Sequence, residues 1–245
     1  MTGVIVPLYS SPGVTWVRVA KAKLANPSVP FIAIVNPSNG PGSAFDARHA
    51  KGISQFQSAG IMVLGYVYTN YGKRLPYKAL SEINSYVSWY RVDGILFDEM
   101  SNLAGYEAYY SFLSGNAKSL GCKFTVGNPG TMTLPSYLET VDNLVIYENR
   151  GLPSPGSLRA LTMGYDKNHF SYVSHGVSQL DSLAVARTSG FVSYLYITGG
   201  AHAQAYSSLP EYFEVLVSWL ARIEQGTSSQ MPASPLFHLL HKVFR

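Results

Sequence analysis

The segment VDGILFDEM, residues 92–100, runs from apolar, strand-like residues directly into two adjacent carboxylates, Asp98 and Glu99. Burying an unpaired carboxylate is costly, and two neighbouring carboxylates repel each other. The strand that this segment predicts must therefore end at a polar cleft, or the acids must cap the helix that follows. The rest of the chain helps to choose between these alternatives.

Seven further apolar runs are similar to this one, because each is rich in β-branched or aromatic residues and ends in polar residues or glycine. They cover residues 3–10, 30–40, 61–70, 123–130, 143–149, 169–176 and 191–200. Near-continuous hydrophobicity over short runs predicts strands that are buried on both faces, as in a parallel sheet.

Segments with helical spacing separate most of these runs. They cover residues 16–26, 45–60, 77–90, 105–121, 179–190 and 208–226. Only short, weak helical signals, TLPSYLETV and GSLRALTMG, follow the fifth and sixth runs. Eight strands that alternate with helices over about 225 residues are typical of a single (β/α)8 TIM barrel with short loops. A doubly wound open sheet is the alternative.

The composition changes after Gly226. TSSQMPASP is similar to a linker, and LFHLLHKVFR predicts a short amphipathic helix. We therefore expect residues 1–226 to form the barrel and residues 227–245 to form a linker and a C-terminal tail.

The bulk composition narrows the class of protein. Of the 245 residues, 47% are hydrophobic and 13% are charged, which is typical of a folded domain. The net charge is +4, but the basic residues are scattered, so we expect no nucleic-acid partner. No apolar stretch reaches the roughly 18 residues of a membrane span. A single cysteine, Cys122, excludes an internal disulfide. As a separate expectation, we predict a monomer.

Three carboxylates, Asp98, Glu99 and Glu148, follow predicted strands directly, whereas most other acids lie in predicted helices or before strands. The carboxyl ends of the strands build the active site of a TIM barrel, so acids at these positions indicate chemistry. Asp98 and Glu99 are consecutive and would point to opposite faces of a strand, unless the backbone turns at Asp98. Helix capping, or an ion pair between Glu148 and Arg150, is the competing structural interpretation.

The spacing of these acids permits paired-carboxylate catalysis. Glu148 belongs to the sixth predicted strand and Asp98 to the fourth, so their backbones lie about 10 Å apart, and inward-leaning side chains shorten the gap. This range includes both the roughly 5–5.5 Å of retaining glycosidases and the roughly 6.5–9.5 Å of inverting ones. The spacing therefore leaves the stereochemistry open.

Aromatic, amide and imidazole side chains cluster near the same strand ends. We expect the following residues to contact a substrate: Tyr9, Asn36, Tyr66, Tyr68, Asn128, Tyr147, His175 and Tyr196. Tyrosine rings suit the apolar face of a sugar, and the polar groups suit its hydroxyl or acetamido substituents. Taken singly, each tyrosine is more typical of core packing, and a lone histidine is often structural, so the cluster carries the prediction.

Several other chemistries lack their residues. No His-Glu-x-x-His motif or cysteine pair predicts a metal site, and no Gly-x-Ser-x-Gly motif predicts a serine hydrolase. No lysine ends a predicted strand, which disfavours a Schiff-base aldolase. We predict neither a metal nor a cofactor. ITGG, residues 197–200, follows the eighth strand, where barrels often bind phosphate, although tight-turn glycines also explain it.

Five segments together resemble the spherulin-4 family, which includes fungal endo-α-1,4-N-acetylgalactosaminidases. They are VPLYSSPG with Trp16 shortly after it, NPSNGPG, GYVYTNYGKR, DGILFDE and VIYEN, in the family's order from residue 6 to residue 149. The resemblance implies a (β/α)8 barrel that hydrolyses galactosaminogalactan-like polymers without a cofactor, with Asp98, Glu99 and Glu148 as its key acids. It also implies secretion or a cell-surface location, whereas the stretch MTGVIVPLYS shows no signal-peptide pattern.

We therefore predict a glycosidase that cleaves internal α-1,4 linkages in a polysaccharide containing N-acetylgalactosamine or galactosamine. Glu148 and one member of the Asp98–Glu99 pair are the acid/base and the nucleophile, and the third carboxylate adjusts their pKa values. A non-catalytic polysaccharide-binding or cell-envelope protein is the first alternative. A barrel enzyme that binds a small phosphorylated molecule near ITGG is the second.

Overall fold

Strand pairing follows the order of the chain. Strands β1 to β8 are Gly3–Leu8, Phe31–Val35, Met62–Tyr68, Gly94–Asp98, Phe124–Gly127, Asn143–Arg150, Phe170–His175 and Tyr194–Ile197. In this computed structural model, which describes residues 1–200, 205–224 and 226, each strand pairs with the next in parallel, and β8 pairs with β1. The barrel is closed, so the predicted TIM barrel is confirmed and the open sheet is wrong.

The first six helices lie between consecutive strands along the chain, and the seventh follows β8. Helices α1 to α7 are Val14–Ala25, Ala47–Ser58, Pro76–Ser85, Glu107–Ser119, Pro155–Thr162, Ser182–Thr188 and Phe213–Glu224. Helix α3 continues into one π-helical turn, Tyr86–Tyr90. The fully buried Tyr86 packs against Gly65 of β3, where a Cβ atom would lie 2.5 Å from the tyrosine ring. The absence of a side chain at Gly65 therefore allows this close approach of helix and strand.

The weak helical signals after the fifth and sixth strands have different outcomes. After β5 there is a single 3-10 turn, Pro135–Tyr137, and the fully buried Tyr137 packs its ring 6.0 Å from that of Tyr110 in α4. After β6 the segment forms α5, whose N-terminus is capped by the Ser154 side chain. A buried aromatic side chain thus packs where a complete barrel would place another helix.

Burial along the strands shows where the polar end of the barrel lies. Every residue of β1 and β2 is buried, as near-continuous hydrophobicity predicts. In β4 the first four residues are buried and the fifth, Asp98, is partly exposed; in β6 partial exposure begins at Tyr147. Both strands therefore reach a cleft at their carboxyl ends, which is where TIM barrels place their active sites.

Two further expectations from the sequence concern membrane spans and the C-terminal tail. Among the helices of the described ranges, none combines the length and the apolar composition of a membrane span. The predicted linker and tail, residues 227–245, lie outside the described residues.

Candidate active site

A left-handed residue brings the two consecutive acids to the same cavity. Glu99 has a φ of 47°, a conformation that L-residues other than Asn and Asp seldom adopt. The chain therefore turns at the end of β4, and both Asp98 and Glu99 line a cavity of about 590 Å³. The N-cap residue of α4 is Tyr106, and no side chain among the described residues caps this helix. The two acids thus face a cleft, and they do not cap the following helix.

Asn128, just after β5, connects the acids of β4 and β6. Its Nδ2 donates to Oδ1 of Asp98 at 2.8 Å and to Oε2 of Glu148 at 2.6 Å. Because one nitrogen contacts both oxygens, these oxygens lie within about 5.4 Å of each other. Barrel closure and one amide group have therefore reduced a backbone separation of two strands to a close pair of carboxylates.

Local irregularities of the backbone position Glu148. The pairing of β6 with β7 shifts register between Val145 and Tyr147, which is a bulge directly before the acid. Bulges re-aim the side chains that follow them. Gly130 has a φ of 64° and accepts a hydrogen bond from the Glu148 backbone N–H at 3.0 Å. A left-handed glycine of the neighbouring loop thus holds the backbone of Glu148.

Each acid of the pair also has a tyrosine partner. Tyr206 donates its hydroxyl hydrogen to Oε1 of Glu148, and Tyr66 of β3 forms a side-chain hydrogen bond with Asp98. The ring of Tyr9, after β1, lies edge-on to both tyrosines, with ring centroids 5.6 Å from each. Tyr66, Asp98, Asn128, Glu148 and Tyr206 thus form one hydrogen-bonded row, and Tyr9 packs against both ends of it.

The surroundings of the row change the proton affinities of its members. Burial raises the pKa of Asp98, and the charge of Glu148 raises it further, although hydrogen bonds from Tyr66 and Asn128 lower it in part. Burial is also the largest cause that raises the pKa of Tyr66 and Tyr206, and the neighbouring carboxylates add to it. These hydroxyls therefore remain protonated, and Asp98 holds a proton more tightly than a free aspartate.

The cavity is negatively charged, in contrast to the chain as a whole. Its lining includes three carboxylates and the imidazole of His175, but within the described residues no Lys or Arg. The nearby guanidinium of Arg74 forms an ion pair with Glu82 and donates to the backbone oxygen of Tyr68. An anionic ligand is therefore disfavoured here, and a neutral or cationic one fits the charge.

The structure brings together six of the residues that the sequence singled out. They line the cavity and are Tyr9, Asp98, Glu99, Asn128, Glu148 and His175. A seventh, Tyr66, lies beneath the cavity surface with 6% of its surface exposed, and acts on it through Asp98.

Four other predicted substrate contacts do not line the cavity. Asn36 accepts a hydrogen bond from the Gly40 backbone within its own loop, and Tyr68 packs under the guanidinium of Arg74. The hydroxyl of Tyr147 donates to backbone oxygens of residues 150 and 151. Tyr196 is fully buried against Tyr206. In this conformation these four side chains bond or pack within the protein and do not face the cavity.

Sequence reasoning missed Tyr206 and the glycine beside the acids. Tyr206 lies in the loop after β8, nine residues beyond the last strand, where no periodicity marks it. Gly130 and Pro129 belong to the quoted run 123–130, but their contact with Glu148 depends on a neighbouring strand. Tyr71, which also lines the cavity, belongs to the tyrosine-rich motif GYVYTNYGKR that the sequence singled out.

The region around ITGG does not favour phosphate. A second cavity, of about 400 Å³, is lined by Gly199, Gly200, the acid Glu211 and the aromatic Trp219, and its described lining includes no Lys or Arg. Phosphate sites are rich in cationic donors.

Across all the described residues, no group of three or more His, Cys, Asp or Glu side chains is placed to hold a metal ion.

The fold and the site together define a class of protein: a (β/α)8 barrel with a carboxylate row at the carboxyl ends of β4 to β6. Comparison of sequences specifies it further. The family model of spherulation-specific family 4 (Spherulin4) matches residues 3–220. Spherulin-4 of Physarum polycephalum is 32% identical over 224 residues, which are 85% of this chain and 67% of that protein. The chain belongs to spherulation-specific family 4, and the predicted resemblance is confirmed.

Solved structures agree with the fold. Aspergillus clavatus Sph3, crystallised in complex with GalNAc, matches with a TM-score of 0.80 at 24% identity, over 90% of this chain and 97% of Sph3. The YdjI aldolase of Escherichia coli K12 matches with a TM-score of 0.52 at 12% identity, over 93% of this chain and 90% of the aldolase. At these identities both matches show the barrel fold alone.

Proposed function

We propose that this protein is a retaining glycoside hydrolase that cleaves internal α-1,4 linkages in polysaccharides containing N-acetylgalactosamine or galactosamine. Asp98 and Glu148 are its catalytic pair. The observation that carries the proposal is the Asn128 bridge, which holds one oxygen of each carboxylate within about 5.4 Å of the other. This upper limit is consistent with the roughly 5–5.5 Å of retaining enzymes and is shorter than the roughly 6.5–9.5 Å that inverting enzymes need to hold a water.

The proposed reaction has two steps. In the first, one carboxylate attacks the anomeric carbon while the other gives its proton to the glycosidic oxygen, so the glycosidic C–O bond breaks and the leaving chain gains a hydroxyl. In the second, the deprotonated partner takes a proton from water, whose oxygen attacks the same carbon and releases the first carboxylate. Two inversions give retention, both acids return to their initial states, and the balance needs no cofactor.

The electrostatics of the row support this use of one shared proton. Burial and the charge of Glu148 raise the pKa of Asp98, so the pair keeps a proton at a higher pH than two isolated acids would. Tyr66 and Tyr206 each hydrogen-bond to one acid, and they can stabilise its charge as the proton moves. Azide rescue of a variant at each acid would assign the two roles within the pair.

The proposed substrate class agrees with the shape and charge of the cavity. Tyr71, half of whose surface is exposed, and Tyr9 present aromatic groups at the wall, and such rings pack against sugars. The negative lining suits a polymer that is neutral or carries free amines. Two comparisons support the sugar itself: the membership in the family and the GalNAc bound to Sph3.

Glu99 has a different part in this proposal. The charge of Glu148 raises the pKa of Asp98, whereas the charge of Glu99 is the largest cause of the raised pKa of Tyr71. Glu99 therefore lies at the Tyr71 side of the cavity and outside the Asn128 bridge. We assign it to binding the sugar through hydroxyl or amine hydrogens.

Reducing-end release from partly deacetylated α-1,4-galactosamine polymers tests the activity. The wild type should cleave, and Asp98→Asn and Glu148→Gln should fold but lose cleavage. Each variant is then assayed with azide and an activated glycoside. The acid/base variant should give a glycosyl azide of retained configuration, and the nucleophile variant one of inverted configuration, which assigns the two roles.

Two outcomes would contradict the proposal. Binding of the polymer without cleavage by the wild type would indicate a polysaccharide-binding or cell-envelope protein. NMR detects the anomeric configuration of the first product. An inverted configuration would refute the retaining mechanism even if the polymer were cleaved.

A further inference from the structure

The left-handed turn at Glu99 needs interactions that hold it in place. A non-glycine residue in this conformation is strained, and such strain persists only where the surroundings enforce it. The carbonyl oxygens of Asp98 and Glu99 both face Thr69, the first residue after β3. Thr69 is fully buried although it is polar.

Thr69 binds both peptide groups of the turn. Its Oγ1 lies 2.8 Å from the carbonyl oxygen of Asp98 and 2.8 Å from that of Glu99, and its backbone N–H donates to the Asp98 oxygen at 3.0 Å. Carbonyl oxygens accept hydrogen bonds and carry no hydrogen, so the threonine hydroxyl is the donor in both contacts. One side chain thus holds the backbone of both consecutive acids.

The oxygen of Thr69 is in turn held by Tyr110 of α4. The two hydroxyl oxygens are 3.1 Å apart, and Tyr110 is fully buried. Because the Thr69 hydrogen is directed at the carbonyl groups, the Tyr110 hydroxyl is the donor between them. The Tyr110 oxygen also accepts from the backbone N–H of Ser101 at 2.8 Å. A chain of hydrogen bonds therefore runs from α4 to the acid-bearing turn and returns to the backbone two residues beyond Glu99.

The loop after β3 is strained as well, and it contacts the same turn. Asn70, Tyr71 and Gly72 all have positive φ angles, of 49°, 54° and 80°. The Tyr71 backbone N–H donates to the Glu99 oxygen at 2.7 Å. At Gly72 a Cβ atom would lie 2.3 Å from the ring of Tyr106, so only glycine fits there. Two strained turns thus stabilise each other, with Thr69 at their junction.

We propose that Thr69 is a positioning residue for the Asp98–Glu148 pair, and that Tyr110 orients its hydroxyl for this role. The inference rests on the proposed function, because catalysis by two carboxylates requires Asp98 to stay within a fraction of an ångström of its productive position. It also accounts for the motif GYVYTNYGKR, whose Thr69 and Tyr71 both donate to the backbone of the acid-bearing turn.

The chain offers a matched control for a merely structural hydroxyl pair. Tyr172 of β7 and Thr188 of α6 are also fully buried, their hydroxyl oxygens are 3.0 Å apart, and Thr188 donates to a helix carbonyl. Neither residue of this pair lines the cavity that the acids line. Removing its hydroxyls should lower stability to a similar degree without affecting the turn at Glu99.

The experiment compares Thr69→Val and Tyr110→Phe with Thr188→Val and Tyr172→Phe. We expect Thr69→Val to lower kcat about 30-fold and Tyr110→Phe about fivefold, because the pair is misplaced. KM should rise by less than tenfold, because the turn also carries Glu99 but the Glu99 side chain is kept. Thr69→Ser, which keeps the hydroxyl, should recover kcat to within threefold of wild type. The control variants should lower Tm comparably and keep kcat.

A second readout keeps this test independent of the hydrolase activity. Titration of the Asp98 carboxyl by 13C NMR should show a lower pKa in Thr69→Val than in wild type, because a relaxed turn weakens both burial and the effect of Glu148. Thr188→Val should leave it unchanged. If the wild type cleaves no polymer, the proposed function fails and this titration alone decides. An unchanged Asp98 pKa in Thr69→Val, or an equal loss of kcat in the control variants, would overturn the inference.

Discussion

Strands β4 and β6 carry an acid at each end, and the two ends of the barrel use these acids differently. Before the strands, Asp93 accepts a hydrogen bond from the Val63 backbone N–H at 2.9 Å, and Asp142 accepts one from that of Thr125 at 2.8 Å. At the carboxyl ends, Asp98 and Glu148 lie beside each other and share the amide of Asn128.

The difference shows how environment decides the role of a carboxylate. Asp142 is compensated by fixed donors and by Lys118, whose Nζ lies 2.7 Å from it, so its charge stabilises the fold. Asp98 is half-buried beside a second acid, and its ionisation is costly. The amino-terminal end of the barrel therefore serves stability, and the carboxyl-terminal end accepts a cost in stability for chemistry.

Removing the acids at each end should give the largest contrast in activity. We expect Asp98→Asn and Glu148→Gln to reduce kcat/KM about 10⁴-fold, because each removes one half of the catalytic pair. Asp93→Asn and Asp142→Asn should stay within about twofold of wild type. Initial rates on a defined oligosaccharide measure both effects. If Asp98→Asn or Glu148→Gln kept a rate within tenfold of wild type, the distinction between the two ends of the barrel would be lost.

The two asparagines of this region sharpen the same comparison at smaller magnitude. Asn128→Ala should lower kcat about 100-fold, because it removes the donor that holds both acids. Asn143, at the start of β6, instead donates to the Asn168 backbone and to Ser193. Asn143→Ala should lower Tm and leave kcat unchanged. Equal kinetic effects of the two substitutions would refute the role given to the bridge.

Glu99 should differ from the two other acids of the cavity in its kinetic effect. Because it lies outside the Asn128 bridge, Glu99→Gln should raise KM about tenfold, the effect of losing one charge-assisted contact with the sugar, and change kcat little. Substrates of increasing acetylation should reduce this effect if the contact is to an amine. A loss of kcat as large as that in Asp98→Asn would instead place Glu99 in the catalytic pair.

Stability should change in opposite directions at the two ends. Asp142→Asn should cost about 1 kcal/mol in the free energy of unfolding, through weaker hydrogen bonds and the lost ion pair. Asp98→Asn should gain about 1 kcal/mol at pH 7, because the amide has no buried charge. Urea unfolding measures both, and a destabilised Asp98→Asn protein at pH 7 would contradict the cost assigned to its charge.

The pH dependence of this gain follows from the raised pKa of Asp98. The folded state binds the Asp98 proton more tightly than the unfolded chain does, so its contribution to stability is present below the unfolded pKa of about 3.9 and is lost as pH rises through the folded pKa. The advantage of Asp98→Asn should therefore be absent below about pH 3.9 and grow as the pH rises above it. Unfolding curves from pH 3 to pH 7 test this dependence.

The fold was largely predictable because its signals are local. Short apolar runs that alternate with helical segments predicted all eight strands. The weak helical signals after the fifth and sixth strands did not decide between a 3-10 turn, which follows β5, and a helix, which follows β6. Strand boundaries were less accurate, since polar residues such as Asn128 continue the run in sequence although they already belong to the loop.

The site was predictable only in part. The strand-end position placed Asp98, Glu148 and Asn128 correctly in one cavity, because carboxyl ends of parallel strands meet. The same reasoning failed for Tyr147 and Tyr196, since a bulge and core packing decide which way strand-end side chains point.

The order of apolar runs along the chain determined the barrel and placed acids at the ends of its fourth and sixth strands. The sequence was sufficient for this because strands and helices are encoded in the spacing of apolar residues that are close together in the chain. Only the tertiary structure decided three features of the site. They are the distance between those acids, the left-handed conformation that directs Glu99 into the cavity, and the hydrogen bond from Tyr206 to Glu148. These features depend on contacts between segments far apart in the chain, such as Asn128 with Glu148 and Thr69 with the backbone of Glu99. No local pattern encodes such contacts.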